Sequence, residues 1–240
     1  MKKLFFIGKR KNENNRDLPR LVERAQKVLQ GNWLGHSTKP SPHLYPHQWN
    51  WDSGFIAIGY ARYHQKRAQQ ELSTLFQAQW INGMLPQIVF NREALDGYSP
   101  EPDFWQCERP PNSPEYLLTS GIIMPPLQAM AARRVFEFAT DKDAAHEWLR
   151  DLYPRVLAMH RYLYREHDPL QEGLVYIRHP WESGLDNSPT WDLPLKAITV
   201  NREKLPAYRR RDLKKVFRSL SAQPTRITTA MFTWCIYSEN

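Results

Sequence analysis

The sequence predicts an all-α or nearly all-α protein, and three features carry that expectation. Apolar residues recur at three- and four-residue spacing in several long segments, whereas alternation over strand-length runs is rare. Proline (19) outnumbers glycine (10), which suits helices joined by stiff loops better than a many-turned sheet protein. With 240 residues, 41% of them hydrophobic and 24% charged, the chain is long enough for a sizeable packed core and too apolar for disorder.

Residues 17–30, "DLPRLVERAQKVLQ", read as an amphipathic helix with Asp17 as cap, Pro19 in the first turn, and Leu21, Val22, Ala25, Val28 and Leu29 along one stripe. A loop rich in Gly and Pro follows. From Asp52, "DSGFIAIGYARYH" reads as a largely buried helix and "QKRAQQELSTLFQAQW" as a second, broken by "NGMLP". Residues 91–115 are Pro-rich and aperiodic, so they predict a long functional loop. Helices are expected again over 114–138, interrupted near Pro125 and Pro126, and over 143–167, where Trp148, Leu149, Leu152, Val156, Met159 and Leu163 form a wide apolar face and Pro154 should kink or divide the helix. "GLVYIRHP" (173–180) is strand-like. Beyond it come a Pro-spaced loop, the basic "YRRRDLKKVFRSL" and a last apolar run, "ITTAMFTWCIYSEN". Residues 1–16 form a basic extension and 17–240 a single unit without internal repeats.

The net charge of +8 suggests a nucleic-acid partner until it is located. Residues 1–30 carry +6 and residues 202–218 another +6, while residues 31–201 carry −4. The unusual motifs therefore lie in mildly acidic surroundings, which excludes nucleic acid as the expected partner. "MKKLFFIG" is too short in its apolar part for a secretory signal, and no stretch approaches the roughly 18 apolar residues of a membrane span. Cys107 and Cys235 match no redox or metal spacing, and His43 and His47 sit beside prolines that disfavour a ligating helix. The expectation is a cytoplasmic protein with no membrane association, cofactor or metal.

Four clusters at helix breaks mix aromatic rings with polar groups: "YPHQWNWDSGF" (45–55), "GYSPEPDFWQCERPP" (97–111), "SGIIMPP" (120–126) and "HPWESGLDNSPTWD" (179–192). Indole faces beside carboxylates and amides suit a sugar site, where pyranose C–H faces stack on rings and hydroxyls bond to acids and amides. Paired carboxyl groups then carry acid–base chemistry at a glycosidic bond. Structural readings stand beside these. Trp49 and Trp51 suit an ordinary core, Asp52 a helix cap, and Asp186 or Ser188 a cap ahead of Pro189. Glu182 and Asp186 in a partly apolar pocket would raise one another's pKa.

In order along the chain, "YPHQWNWDSGF", "NGMLPQIVFN", "YSPEPDFW", "SGIIMPP" and "WESGLDNSPTWD" resemble the motifs of glycoside hydrolase family 63, in the branch of mannosylglycerate and glucosylglycerate hydrolases. The resemblance spans roughly residues 17–225. It implies an (α/α)6 barrel, of which this chain would supply about half the helices, with long loops forming one side of a sugar site. It implies inverting hydrolysis of small α-glucosides or α-mannosides, with Asp186 as general acid. Tyr45, Trp49, Trp51, Asp52, Tyr98, Trp181 and Gly184 would line the pocket, and Arg211 would stand near its entrance. Met124 replaces a glutamine that the family uses, and Glu101 replaces a glycine. The family's general base, a glutamate near the far end of a barrel of about 400 residues, has no counterpart in 193–240. The expectation is therefore the N-terminal part of a glycosidase, truncated and inactive alone, its missing C-terminal half encoded downstream. A non-catalytic sugar-binding module using the same aromatic clusters is the alternative.

Overall fold

The computed structural model describes residues 17–96, 98, 100–185 and 188–197. The elements are α1 (Leu18–Gly31), β1 (Gln48–Trp49), α2 (Asn50–Ala61), α3 (Gln65–Gln77), β2 (Ile88–Val89), α4 (Pro102–Trp105), α5 (Gln128–Glu137), α6 (Lys142–Glu166) and α7 (Asp192–Lys196). Single 3-10 turns occupy Arg92–Ala94, Pro180–Ser183 and Pro189–Trp191. The protein is mostly helical, with one small sheet in which β1 and β2 pair antiparallel, Gln48 opposite Val89 and Trp49 opposite Ile88. The basic extension 1–16, the basic stretch with Arg211 and the final apolar run lie outside the described residues.

The core is a four-helix cluster. Ala57, Tyr60 and Ala61 of α2, Ala68, Leu72, Leu75 and Phe76 of α3, Ala131, Ala132 and Val135 of α5, and Leu152 and Met159 of α6 are buried together. Alanines at the α2 and α5 contacts let these helices approach closely. A second, smaller cluster joins Trp80, Met84, Cys107, Ile123, Tyr162 and Leu163 beneath the long loops.

Several expectations need correction. Residues 114–127 do not form a helix. Phe90 N–H bonds to the Leu118 carbonyl, Ser120 N–H to the Ile88 carbonyl and Gln87 N–H to the Ile122 carbonyl, so this segment runs as an irregular ribbon beside β2. Pro114, Gly121, Pro125 and Pro126 work against a helix, and α5 begins only after the proline pair. "GLVYIRHP" has no strand partner: residues 173–178 are exposed coil, anchored by Tyr176 N–H on the His167 carbonyl at 2.9 Å, and His179 and Pro180 turn inward into a 3-10 turn. Pro154 does not divide α6, which runs 25 residues with the proline on its exposed side. Asp17 occupies the N-cap of α1 without making the capping bond. Its apolar stripe stays largely open, with Leu18, Leu21, Val22 and Val28 exposed.

Candidate active site

Helix α2 starts two residues earlier than Asp52, and the reason is Asn50. Its side-chain amide donates to the Leu85 and Pro86 carbonyls at 3.1 and 2.9 Å, and its backbone N–H bonds to the Gln87 carbonyl. Gln128 of α5 closes the corner by donating to the Asn50 side chain and to its backbone carbonyl. The turn from β1 into α2 is thus held by buried amides from three segments. It presents Trp49, Trp51 and Asp52 in succession. Asp52 is no cap; it lies in the first turn of a helix whose N-cap residue is Trp49.

The loop 178–184 comes up against this corner. Gln87 donates its amide to the Trp181 carbonyl at 3.1 Å. Glu182 is buried and accepts from the backbone N–H groups of Arg178, His179 and Ile123 at 2.6, 3.2 and 3.4 Å, while His179 Nδ1 accepts from Trp181 N–H at 3.2 Å. Glu182 therefore builds the loop. Gly184, in the left-handed region at φ 67°, ends the 3-10 turn with its Cα against the Trp51 indole: a Cβ there would stand 2.7 Å from Trp51 Cη2. Trp181 packs on His179 (4.9 Å between centroids) and on Trp105 of α4 (6.1 Å).

On the other side of the corner Tyr45 meets Trp49 edge to face at 5.1 Å. Tyr98 meets the buried His47 at 4.3 Å, and Phe90 closes that trio. His47 Nδ1 accepts from Asn91 N–H, and burial pushes the imidazole pKa down to about 4, so the ring is neutral with its proton on Nε2. Burial raises the Asp52 carboxyl above its usual range, while hydrogen bonds from its own backbone N–H and the Trp51 indole pull partly the other way. A half-buried carboxyl between indoles is a group poised to hold a hydroxyl or a proton.

Through direct contacts and a shared corner the structure gathers Tyr45, Trp49, Trp51, Asp52, Tyr98, Trp181 and Gly184. Asp186 and Arg211 lie outside the described residues. Ser188 caps the 3-10 turn at Pro189, accepting from Thr190 N–H. Met124 is buried and lines a small cavity together with Asn50, Leu85, Met159 and Tyr162, so at this position the chain offers an apolar side chain. Glu101 is the N-cap residue of α4 and makes no capping bond with its side chain. Sequence reasoning passed over Trp105, Gln87 and Asn50, which organise the site. Gln87 and Asn50 stood inside quoted motifs as polar residues among apolar ones, a pattern typical of buried amides.

A model of the Mannosylglycerate hydrolase MGH1-like glycoside hydrolase domain matches residues 45–235. The chain is 48% identical over 192 residues to a mannosylglycerate hydrolase of Rubrobacter radiotolerans, covering 80% of this chain and 43% of that protein. It is 41% identical over 198 residues to a glucosylglycerate hydrolase of Mycolicibacterium hassiacum, covering 80% and 44%. Among solved structures, a family 63 mannosylglycerate hydrolase from Thermus thermophilus in complex with Tris and D-glycerate superposes with a TM-score of 0.78 at 42% identity, over 91% of this chain and 50% of that one. The Thermus thermophilus enzyme in complex with glucose superposes at 0.69. The chain spans about half the length of the relatives it matches. It belongs to glycoside hydrolase family 63, as a portion of a mannosylglycerate hydrolase-like, MGH1-like domain.

Proposed function

We propose that this chain is the N-terminal part of an inverting α-glycosidase of the cytoplasm that hydrolyses small α-glucosides or α-mannosides, such as glucosylglycerate and mannosylglycerate. The observation that carries this reading is the approach of Gly184 to Trp51, which brings the loop leading to Asp186 onto the corner bearing Trp49 and Asp52. Tyr45, Trp49, Trp51, Tyr98 and Trp181 supply the apolar faces for a pyranose, Asp52 takes sugar hydroxyls, and Arg211 meets an acidic aglycone. Relatives named for glycerate glycosides, and a solved neighbour holding D-glycerate, support that choice.

In this scheme Asp186 protonates the glycosidic oxygen as the bond to the anomeric carbon breaks. Water adds from the opposite face, and its proton passes to a general base about 6.5–9.5 Å from the acid. We assign that base to the half of the (α/α)6 barrel that this chain does not span. Each acid or base is worth typically 10²–10⁴-fold, so residues 1–240 alone would bind without turnover.

The test is a fluorescence titration of the 240-residue chain with both glycosides, run beside a hydrolysis assay. Saturable binding, lost in Trp51→Ala, with no released glycerate is expected. Hydrolysis that disappears in Asp186→Asn would overturn the assignment of the base, and a flat titration would remove the sugar site.

A further inference from the structure

Glu71 lies on α3, fully buried, and no ion pair reaches it among the described residues. Its Oε1 accepts from the Ser53 hydroxyl at 2.7 Å and from the Gln48 amide at 3.1 Å. The same Gln48 nitrogen also donates to the Glu71 backbone carbonyl at 3.0 Å and lies 3.1 Å from Ser53 Oγ. Gln48 is the β1 residue before Trp49, and Ser53 is the α2 residue after Asp52. Thr38, also buried, donates its hydroxyl to Tyr60, and the second carboxyl oxygen, Oε2, is buried without a hydrogen-bond partner among the described residues. One carboxyl thus holds both ends of the six-residue segment that carries Trp49, Trp51 and Asp52.

We propose that Glu71 is a positioning residue of this site, whose carboxyl sets the β1–α2 corner through Gln48 and Ser53 and rearranges it when it gains or loses a proton. Only the identity of what the corner binds rests on the sugar-site reading; the coupling does not. Burial lifts the Glu71 pKa from 4.5 to about 7 against the hydrogen bonds from Ser53 and Gln48. In the charged form Oε1 accepts from Ser53 and Gln48 while Oε2 has no partner among the described residues; protonation makes one oxygen a donor that must find an acceptor, at Ser53 or by turning the carboxyl. The charged groups on packed elements are engaged elsewhere. Arg155 of α6 bonds to the Phe76 carbonyl at the far end of α3, and Arg133 and Arg134 of α5 pair with Glu137 at the surface. On α2, Asp52 lies beside Ser53 and Tyr60 donates to the Leu29 carbonyl; on α3 itself Arg67 stacks over Trp33. His36 precedes Thr38 by two residues and is exposed, and His47 on the far side of β1 is neutral throughout the range.

The experiment follows the indole N–H resonances of the full chain labelled with ¹⁵N-tryptophan between pH 5.5 and 8.5, with Trp49 and Trp51 identified by Trp49→Phe and Trp51→Phe. Both resonances are expected to move with a common inflection near pH 7. In Glu71→Gln, a neutral isostere, the inflection disappears and both stay near their low-pH positions. Ser53→Ala, which removes a bond favouring the charged form, moves the inflection to higher pH and serves if the glutamine variant does not fold. Flat Trp49 and Trp51 resonances, or an inflection that survives Glu71→Gln, overturn the proposal. Glycoside affinity at pH 6 and 8 completes the test: it should differ in the wild type and not in Glu71→Gln. Resonances that respond while no glycoside binds at either pH would leave Glu71 in place and sink the sugar reading instead.

Discussion

Gly184→Ala probes the contact on which the site reading depends. Gly184 holds φ 67°, and an alanine forced into the left-handed region costs roughly 1–2 kcal/mol. Its Cβ would also stand 2.7 Å from Trp51 Cη2 and 2.9 Å from Cζ2, where carbon atoms pack at about 3.5–4.0 Å. The indole must therefore swing by about 1 Å, and overpacking of this kind adds about 1–3 kcal/mol. The predicted destabilisation is about 2–5 kcal/mol in total. A double-mutant cycle separates the parts. In a Trp51→Ala background the steric part vanishes and only the backbone cost remains, so a coupling of about 1–3 kcal/mol is expected from urea unfolding followed by circular dichroism. Additivity within about 0.5 kcal/mol would mean that Gly184 does not rest on Trp51 in solution, and the joined site would have to be given up.

Other predictions concern the frame around that contact. Glu71→Gln should flatten the pH dependence of stability. A carboxyl whose folded pKa is raised from 4.5 to about 7 stabilises the fold fully below pH about 4.5, and that contribution is lost as pH rises through 7. The loss is roughly 3 kcal/mol in the wild type and absent in the variant, read from denaturation midpoints at pH 5 and pH 8. Asn50→Ala strips donors from the Leu85 and Pro86 carbonyls and a partner from Gln128, for an expected cost of about 2–4 kcal/mol in the same unfolding assay. Gly83→Ala is expected to abolish soluble expression, because at φ 98° its Cβ would lie 2.5 Å from the Ala158 carbonyl oxygen, backbone against backbone. Trp51→Ala should weaken glycoside binding more than tenfold while leaving the helical circular dichroism unchanged.

Helices were legible where periodicity acted alone. The stripe of 17–30, the α3 pattern and the wide face of 143–167 all mark true helices, because an amphipathic helix depends only on its own spacing and a core to meet. Residues 114–127 misled for the opposite reason. Leu117, Leu118, Ile122 and Ile123 carry enough apolar character for a helix, but the segment's backbone bonds to residues 87–90, at and beside β2 and some thirty residues away, a partner that spacing cannot reveal. The site shows the same division. Aromatic and acidic residues in "YPHQWNWDSGF" and "WESGLDNSPTWD" announced themselves by composition. That Glu182 is a support did not follow from spacing: it is buried on three backbone N–H groups, although it sits four positions from Asp186 like a paired carboxylate.

The polar bonds that shape the corner come from a narrow set of partners. Asn50 bonds to residues 85–87 and to Gln128, Gln48 and Ser53 bond to Glu71, and the loop 178–184 bonds to Gln87 and Ile123. Together with the core of α2, α3, α5 and α6, these make the wall a self-supporting unit, since every amide and carboxylate named finds its main partner inside it. Exposed apolar side chains cluster on α1 and along 170–177. Association of the chain through these faces would not unseat Trp51 from Gly184. Binding and turnover should accordingly separate. Under the proposed reading, a corner held by its own hydrogen bonds keeps its shape for a ligand, while turnover needs the second carboxyl that is proposed to lie outside this chain.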